Sequence, residues 1–344
     1  MTDRQRPKDI LHGEEEIVAV LAPLAAGAPG AFGLEDDCAL LAPEPGCELV
    51  LKTDPVAEGV HFLPTDAPAD IAWKALAVNV SDLAAKGATP IGYLMALSFP
   101  EAPTRAWLTA FAAGLEAAQT AFGCHLLGGD TDRRPGPRTI SITVIGSVPS
   151  GQMVRRGTVR EDCSLLVSGS IGDATLGLAL AKDPALAAAW GLSPEETDYL
   201  LGRYRRPQPR LSLAPALRRH AVAAMDLSDG LVKDAGRMLR GAGLSGRLEA
   251  AAVPLSAAAR KVLAREPQRL ARLLTGGDDY EILAATTVDQ RDVLCAAAAA
   301  AGVPMTEVGM SGSSPWPADG GTGLGIDGPD GQPLAVGPTG WDHF

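Results

Sequence analysis

The chain of 344 residues is long enough for about two domains, and its 46% of hydrophobic residues is typical of a globular protein. Its 41 acidic and 30 basic residues give a net charge of −11, which argues against a nucleic-acid partner because duplex binding requires a basic surface. A membrane-spanning helix is also excluded, because no apolar run approaches the ~20 residues that a bilayer requires.

Short segments of strand character alternate with longer amphipathic segments, which predicts an α/β fold. In chain order, the pattern predicts a helix at 14–25, a strand at 48–53, a helix at 70–86, a strand at 91–99, a helix at 104–121, strands at 139–148 and 163–168, helices at 211–223 and 231–240, a strand at 281–286 and a helix at 288–301.

Two regions rich in Pro and Gly divide this pattern. The strand pattern stops around 149–157 and resumes after 160, so we expect an N-terminal domain at 1–149 and a C-terminal α/β domain at 150–344. The stretch 311–344 is crowded with Gly and Pro, which predicts an irregular C-terminal segment.

The cysteines indicate the compartment. The five cysteines are an odd number and form no C-x-x-C pair, so neither a zinc site nor a disulfide framework is expected. The first ten residues are charged and lack the apolar core of a signal peptide. Both observations predict a cytoplasmic protein.

Aspartates recur next to the predicted elements. Asp37 follows a glycine loop, Asp54 follows the strand 48–53, and Asp82 lies near the apolar stripe of the helix 70–86. Others follow glycine pairs or flank a serine: Asp130, Asp226, Asp229, Asp278 and Asp279. Any one of them is explained by helix capping or a turn, but such a group suits Mg²⁺, and the adjacent glycines let backbone N–H groups approach a polyphosphate. Because no P-loop motif occurs, the pattern indicates a Mg²⁺-dependent phosphate or nucleotide enzyme without one.

Seven segments carry a resemblance to a known family. They are 34–41 (LEDDCALL), 53–62 (TDPVAEGVHF), 69–87 (ADIAWKALAVNVSDLAAKG), 128–131 (GGDT), 226–230 (DLSDG), 276–281 (GGDDYE) and 340–344 (GWDHF). In this order they resemble the thiamine-monophosphate kinase family, within the aminoimidazole-ribonucleotide-synthetase-like superfamily. The resemblance implies that superfamily's two-domain architecture, with the N-terminal domain binding ATP and metal, and a homodimer built through the N-terminal domains. It also implies ATP and thiamine monophosphate as substrates and several Mg²⁺ ions as cofactors.

The same resemblance assigns roles to single residues. It implies Mg²⁺ ligands at Asp37, Thr53, Asp54, Asp82, Asp130, Asp226 and Asp229. It implies ATP contacts at Gly129, Asp130, Arg156 and Ser228. It implies contacts with thiamine monophosphate at His61, Asp278 and, from the C-terminal segment, Trp341.

Two positions depart from the family pattern. Lys52 stands where the family usually has a small hydroxyl residue that helps to bind one metal, and a protonated lysine cannot ligate a metal. That ion is therefore expected to be missing or its charge replaced. Asp132 stands where a small or hydroxyl residue is more usual, which we expect to be harmless.

The implied reaction transfers the γ-phosphoryl group of ATP to thiamine monophosphate and requires no general base. Three alternatives stay open at this point. The first is another ATPase of the superfamily, such as a hydrogenase-maturation or purine-synthesis enzyme. A hydrogenase-maturation enzyme is expected to end in a reactive cysteine, whereas this sequence ends in Trp-Asp-His-Phe. The others are a Mg²⁺-dependent phosphohydrolase and a nucleotide sensor without turnover.

Overall fold

A computed structural model describes residues 9–11, 13–317 and 323–336, and the chain forms two compact units. The first unit comprises the chain up to Leu83 together with Thr89–Gly151, and the second comprises Ala84–Ala88 and the chain from Gln152 onward. Ala84–Ala88 thus belongs to the second unit, although it lies inside the segment 1–149 that was expected to form the first domain.

The first unit contains a four-stranded mixed sheet. Its helices are α1 (Glu14–Leu21), α2 (Pro68–Ala85, whose last residues belong to the second unit) and α3 (Arg105–Phe122). Its strands are β1 (Cys47–Ala57), β2 (Thr89–Phe99), β3 (His125–Arg133) and β4 (Thr139–Pro149). The strand order is β1-β4-β2-β3, with β4 antiparallel to both of its neighbours and β2 parallel to β3, so β1 and β3 form the two edges.

Local sequence signals account for several of these elements. Along β4 the residues alternate between buried and half-buried, with Ile140, Ile142 and Val144 facing the core, as expected for a sheet with one covered face. Helix α3 is capped at its N-terminus by Thr104, whose hydroxyl accepts a hydrogen bond from the backbone N–H of Trp107 at 3.1 Å. It ends at Gly123, which adopts the left-handed conformation that glycine permits.

The second unit contains a six-stranded sheet. Its helices are α4 (Asp173–Lys182), α5 (Leu186–Trp190), α6 (Pro194–Arg205), α7 (Ala214–His220), α8 (Leu231–Gly241), α9 (Ala257–Arg265), α10 (Leu270–Thr275) and α11 (Arg291–Ala300). Its strands are β5 (Cys163–Ser168), β6 (Ala223–Asp226), β7 (Leu244–Glu249), β8 (Ile282–Thr287), β9 (Met305–Pro315) and β10 (Leu324–Asp327). The order is β10-β7-β9-β5-β8-β6, and of the neighbouring pairs β10 and β7 are parallel while the others are antiparallel.

Short 3₁₀ helices complete the description, at Ala22–Ala25, Pro29–Leu34, Arg156–Thr158, Leu211–Leu213, Ala250–Ala252, Pro267–Arg269 and Val288–Gln290. No helix in the described part of the chain is both long enough and apolar enough to cross a membrane. All residues of β5 are buried, so this strand lies in the interior of the second unit.

The expected α/β class is confirmed, but the prediction is wrong about the place of Asp54 and about the segment 311–344. Strand β1 extends to Ala57, so Asp54 lies within the strand instead of after it. The segment 311–344 is not irregular throughout, because it contains the end of β9 and all of β10. The glycine and serine residues of β9 and β10 are typical of turns, but these strands are held extended because β9 pairs with β5 and β7 and β10 pairs with β7.

Candidate active site

In the first unit, Lys52 joins two of the predicted metal ligands. Its Nζ atom lies 3.0 Å from Oδ2 of Asp54 and 2.8 Å from Oδ2 of Asp82. Lys52 and Asp54 are two residues apart on β1 and therefore share one face of the strand, whereas Asp82 comes from α2. Burial alone would lower the pKa of the Lys52 ammonium group. The charge of Asp82 and the hydrogen bonds to both carboxylates outweigh that effect and raise the pKa above its usual value.

Asn79 fixes the backbone of Asp54 and was not identified from the sequence. Its side chain is fully buried on α2, and its Oδ1 accepts the backbone N–H of Asp54 at 2.7 Å. Its Nδ2 donates to the Asp54 carbonyl at 3.3 Å and to the Ala75 carbonyl at 3.1 Å. The signal in the sequence was an amide three residues before Asp82 on an otherwise apolar helix face.

The structure does not bring the hydroxyl of Thr53 to this group. Thr53 alternates with Lys52 and Asp54 along β1, so its side chain lies on the opposite face of the sheet. There its hydroxyl donates to the Ile142 carbonyl at 3.2 Å and accepts from the hydroxyl of Thr143 at 3.0 Å.

Asp130 also lies apart from Asp54. It is exposed on β3, at the other edge of the sheet, and three strand spacings separate it from β1, or ~14 Å. The preceding Gly129 has a structural role of its own, because a Cβ atom there would lie 1.8 Å from the Met95 carbonyl oxygen. Asp132 is exposed near Arg134, at 3.9 Å.

His61 and Asp37 complete the predicted residues of the first unit. His61 follows β1 in the chain, and the Nδ1 atom of its ring accepts a hydrogen bond from the backbone N–H of Ala57 at 3.0 Å. In the neutral ring this leaves the proton on Nε2, which is then a hydrogen-bond donor. Asp37 is exposed in a bend, next to Asp36, which accepts the backbone N–H of Cys38.

In the second unit the sheet brings two predicted motifs together. Strands β6 and β8 are antiparallel neighbours with Asp226 opposite Ile282, so the loop after β6 meets the segment before β8. The backbone N–H of Asp278 donates to the Ser228 carbonyl at 2.9 Å, and that of Tyr280 donates to the Leu227 carbonyl at 2.9 Å. Gly277 allows this approach, because a Cβ atom there would lie 2.3 Å from the Ser228 oxygen.

Asp234 organises the loop from the other side and was missed by the sequence reasoning. This buried residue in the first turn of α8 accepts the backbone N–H groups of Ser228 at 3.1 Å and Asp229 at 2.9 Å. Burial raises its pKa to about 6, against the hydrogen bond from Asp229 and the positive charge of Arg237. The guanidinium of Arg237 also pairs with the Asp229 carboxylate.

The carboxylates that follow Asp278 are structural. Asp279 is buried, accepts the backbone N–H groups of Gly172 and Ala174 at the start of α4, and has a pKa raised by burial. Glu281 is fully buried and forms ion pairs with Arg203, at 2.8 Å, and with Arg210. Both side chains therefore hold the 276–281 segment in place.

The remaining predicted site residues are Asp226, Arg156 and Trp341. Asp226 is buried at the end of β6, and Arg156 is exposed on the short 3₁₀ helix Arg156–Thr158. Trp341 lies outside the described residues. Among residues 9–11, 13–317 and 323–336, no group of three or more His, Cys, Asp or Glu side chains is arranged to hold a metal ion.

Comparison with known proteins first defines a class. Residues 35–148 match the family described as AIR synthase related protein, N-terminal domain, and residues 160–314 match AIR synthase related protein, C-terminal domain. The two-unit α/β fold described above is thus that of the AIR synthase related proteins.

Individual relatives identify the family within that class. A thiamine-monophosphate kinase of Caulobacter vibrioides is 40% identical over 86% of this chain and 82% of that protein. The crystal structure of thiamine-monophosphate kinase from Stenotrophomonas maltophilia superposes with a TM-score of 0.76 at 35% identity, covering 94% of this chain and 93% of that one. A structure described as AaThiL complexed with AMPPCP and TMP superposes with a TM-score of 0.73 at 28% identity, covering 96% and 97%. The chain belongs to the thiamine-monophosphate kinase family.

Proposed function

We propose that the protein transfers the γ-phosphoryl group of ATP to the phosphate of thiamine monophosphate, giving thiamine diphosphate and ADP. The observation that carries the proposal is the hydrogen-bonded pairing of the Ser228 loop with the Asp278 segment at one end of the second sheet. A predicted ATP contact and a predicted thiamine monophosphate contact are thereby adjacent in one unit. The names of the relatives, and the AMPPCP and TMP bound in one of them, support the same substrates.

The chemistry of this transfer explains why no general base is needed. The second pKa of a phosphate monoester is ~6, so the attacking phosphate oxygen is already ionised at pH 7. The obstacle is the repulsion between two anions, which for unit charges ~4 Å apart is ~4 kcal/mol at an effective dielectric constant of 20. Residues that position the phosphates and supply positive charge are therefore what the reaction requires.

Individual residues of this chain suit that task. We assign Gly129, Asp130, Arg156 and Ser228 to ATP, with the exposed guanidinium of Arg156 as a phosphate partner. We assign His61, Asp278 and Trp341 to thiamine monophosphate. The Nε2 proton of His61 can be donated to a phosphate oxygen, the Asp278 carboxylate suits the cationic thiazolium, and the Trp341 ring suits stacking on it.

Magnesium is the metal that we propose for this reaction, with ligands drawn from Asp37, Thr53, Asp130, Asp226 and Asp229, whereas Asp54 and Asp82 contact Lys52 instead. Bound Mg²⁺ would neutralise phosphate charge and orient the donor and acceptor. The oxygen donors have the chemistry that Mg²⁺ prefers. The space between Asp54 and Asp82 does not fit a divalent ion, however, because Lys52 spans it.

Two further proposals concern the oligomeric state and the cellular location of the protein. We propose a homodimer built through the first unit, because one face of its sheet exposes the apolar side chains of Leu51 and Leu94. We propose a cytoplasmic location, because the cysteines Cys38, Cys47, Cys124, Cys163 and Cys295 are all free thiols.

The test of the proposed function is an ADP-release assay with ATP, Mg²⁺ and either thiamine monophosphate or thiamine. We expect ADP to form with thiamine monophosphate, hardly at all with thiamine, and to cease when EDTA removes the metal. Equal ADP release with and without thiamine monophosphate would indicate a phosphohydrolase instead. Binding of ATP without any ADP release would indicate a nucleotide sensor.

A further inference from the structure

Lys52, Asp54 and Asp82 form a compact ionic group in the first unit. The ammonium group lies within 3.0 Å of both carboxylates, and the three side chains are each less than half exposed. Two carboxylates and one ammonium leave the group with one net negative charge.

Helix α2 holds the backbone of both acidic residues of this group in place. Asp82 is on the helix itself, and Asn79, one turn earlier, hydrogen-bonds the backbone N–H and carbonyl of Asp54. The backbone positions of Asp54 and Asp82 are therefore set by the helix and its buried Asn79, and the ammonium group of Lys52 contacts both of their carboxylates. A solvated surface ion pair would lack such support.

We infer that the ammonium group of Lys52 is the resident cation of Asp54 and Asp82 and excludes a divalent metal ion from this pair. The lysine is tethered by the strand, so its charge is present whether or not metal or nucleotide is bound. Lys52 is a positioning residue: it holds Asp54 and Asp82 in fixed places and removes part of the negative charge that a polyanionic substrate would meet. This role deepens the proposed function and rests on it only for the identity of that substrate.

If Lys52 occupies this site, substitutions in the group should change the number of bound metal ions in a defined way. If Lys52 closes the pair, its replacement by a small hydroxyl residue should open a divalent site, since two carboxylates and water are suitable ligands for Mn²⁺. Removing one carboxylate from the wild-type protein should leave its metal count unchanged, because that carboxylate binds lysine instead of metal.

The experiment counts Mn²⁺ bound to the purified full-length chain by electron paramagnetic resonance of the free ion, titrated into the millimolar range without nucleotide. The variants are Lys52→Ser, Lys52→Ser combined with Asp82→Asn, and Asp82→Asn alone. Lys182→Ser, which removes an exposed lysine from the second unit, is the matched control. Circular dichroism verifies the fold of each variant.

We expect Lys52→Ser to bind about one more Mn²⁺ than the wild type, the double variant to lose that gain, and the control and Asp82→Asn to match the wild type. The inference is overturned if Lys52→Ser binds no additional Mn²⁺, or if Asp82→Asn alone binds less Mn²⁺ than the wild type. The Asp82→Asn comparison decides the matter if Lys52→Ser does not fold. None of these counts requires turnover, so the ADP-release assay on the same preparations tests the proposed function separately.

Discussion

The position of Asp54 depends on a single buried amide. Asn79 satisfies both backbone groups of Asp54 on the outer side of an edge strand, where no neighbouring strand of this chain pairs with β1 among the described residues. At Asp54 the amide side chain thus takes the place of a ladder partner on the outer side of the strand. The side chains of Lys52 and Asp54, which share a face of that strand, are positioned together as a result.

We expect Asn79→Ala to lower the free energy of unfolding by ~1–3 kcal/mol, because it leaves backbone groups without partners in a partly buried place. The displacement of Asp54 should also lower kcat, by up to ~10²-fold. Urea denaturation and steady-state kinetics measure the two effects. Gln268→Ala, which truncates an exposed amide of the second unit, is the control, and equal results for the two variants would contradict this role of Asn79.

At the scale of elements, the start of α8 organises the loop that carries Ser228 and Asp229. The Asp234 carboxylate accepts both N–H groups of that loop, and Arg237, three residues further along the helix, contacts the carboxylates of Asp229 and Asp234. The loop conformation is therefore set by the helix that follows it. Pairing with the Asp278 segment fixes the other side of the loop.

Asp234→Ala should consequently weaken ATP binding more than thiamine monophosphate binding, with a loss of stability of ~1–3 kcal/mol from the unpaired N–H groups. The measurements are the KM for each substrate and urea denaturation. The control is Asp292→Ala, which also removes an acid from the first turn of a helix, but one whose side chain is 85% exposed. A rise of both KM values by the same factor would show that Asp234 acts only on global stability.

The elements differ in how far the sequence could predict them. Strand β5 has the predicted bounds and β4 differs by one residue, because their apolar residues follow the periods expected for buried and half-buried strands. Strand β3 was missed, because its Gly-Gly-Asp stretch has the composition of a turn and is extended only through pairing with β2. Helix α4 was missed as well; it begins after Gly172, and the buried Asp279 contacts its first turn.

The residues of the candidate site also differ in how far the sequence could predict their roles. The sequence pointed to the carboxylates and glycines, because their composition is unusual beside apolar strands. It did not indicate that Lys52 contacts both Asp54 and Asp82, or that Asn79 and Asp234 bind the backbone of other site residues. The contacts of Asp82 and Asn79 join helix α2 to strand β1, which lies some 25 residues or more away in sequence. A local sequence pattern cannot predict contacts over that distance.

For the protein as a whole, the sheet face that exposes Leu51 and Leu94 bears on the proposed assembly. Leu51 is 64% exposed on β1 and Leu94 is 40% exposed on β2, and the register through β4 places both side chains on one face of the sheet. Leu51→Asp should give a monomer without lowering the melting temperature of the chain appreciably, because the residue is not part of its core. Light scattering coupled to size-exclusion chromatography measures this, with Val288→Asp, at an exposed position of the second unit, as control. A Leu51→Asp protein that stays dimeric would place the interface elsewhere.

Mass spectrometry of the reaction products tests whether the γ-phosphoryl group of ATP passes directly to thiamine monophosphate. The protein is incubated with Mg²⁺, thiamine monophosphate and ATP whose γ-phosphoryl group carries ¹⁸O. We expect thiamine diphosphate with the label in its terminal phosphoryl group, together with unlabelled ADP. Labelled inorganic phosphate beside unchanged thiamine monophosphate would contradict direct transfer.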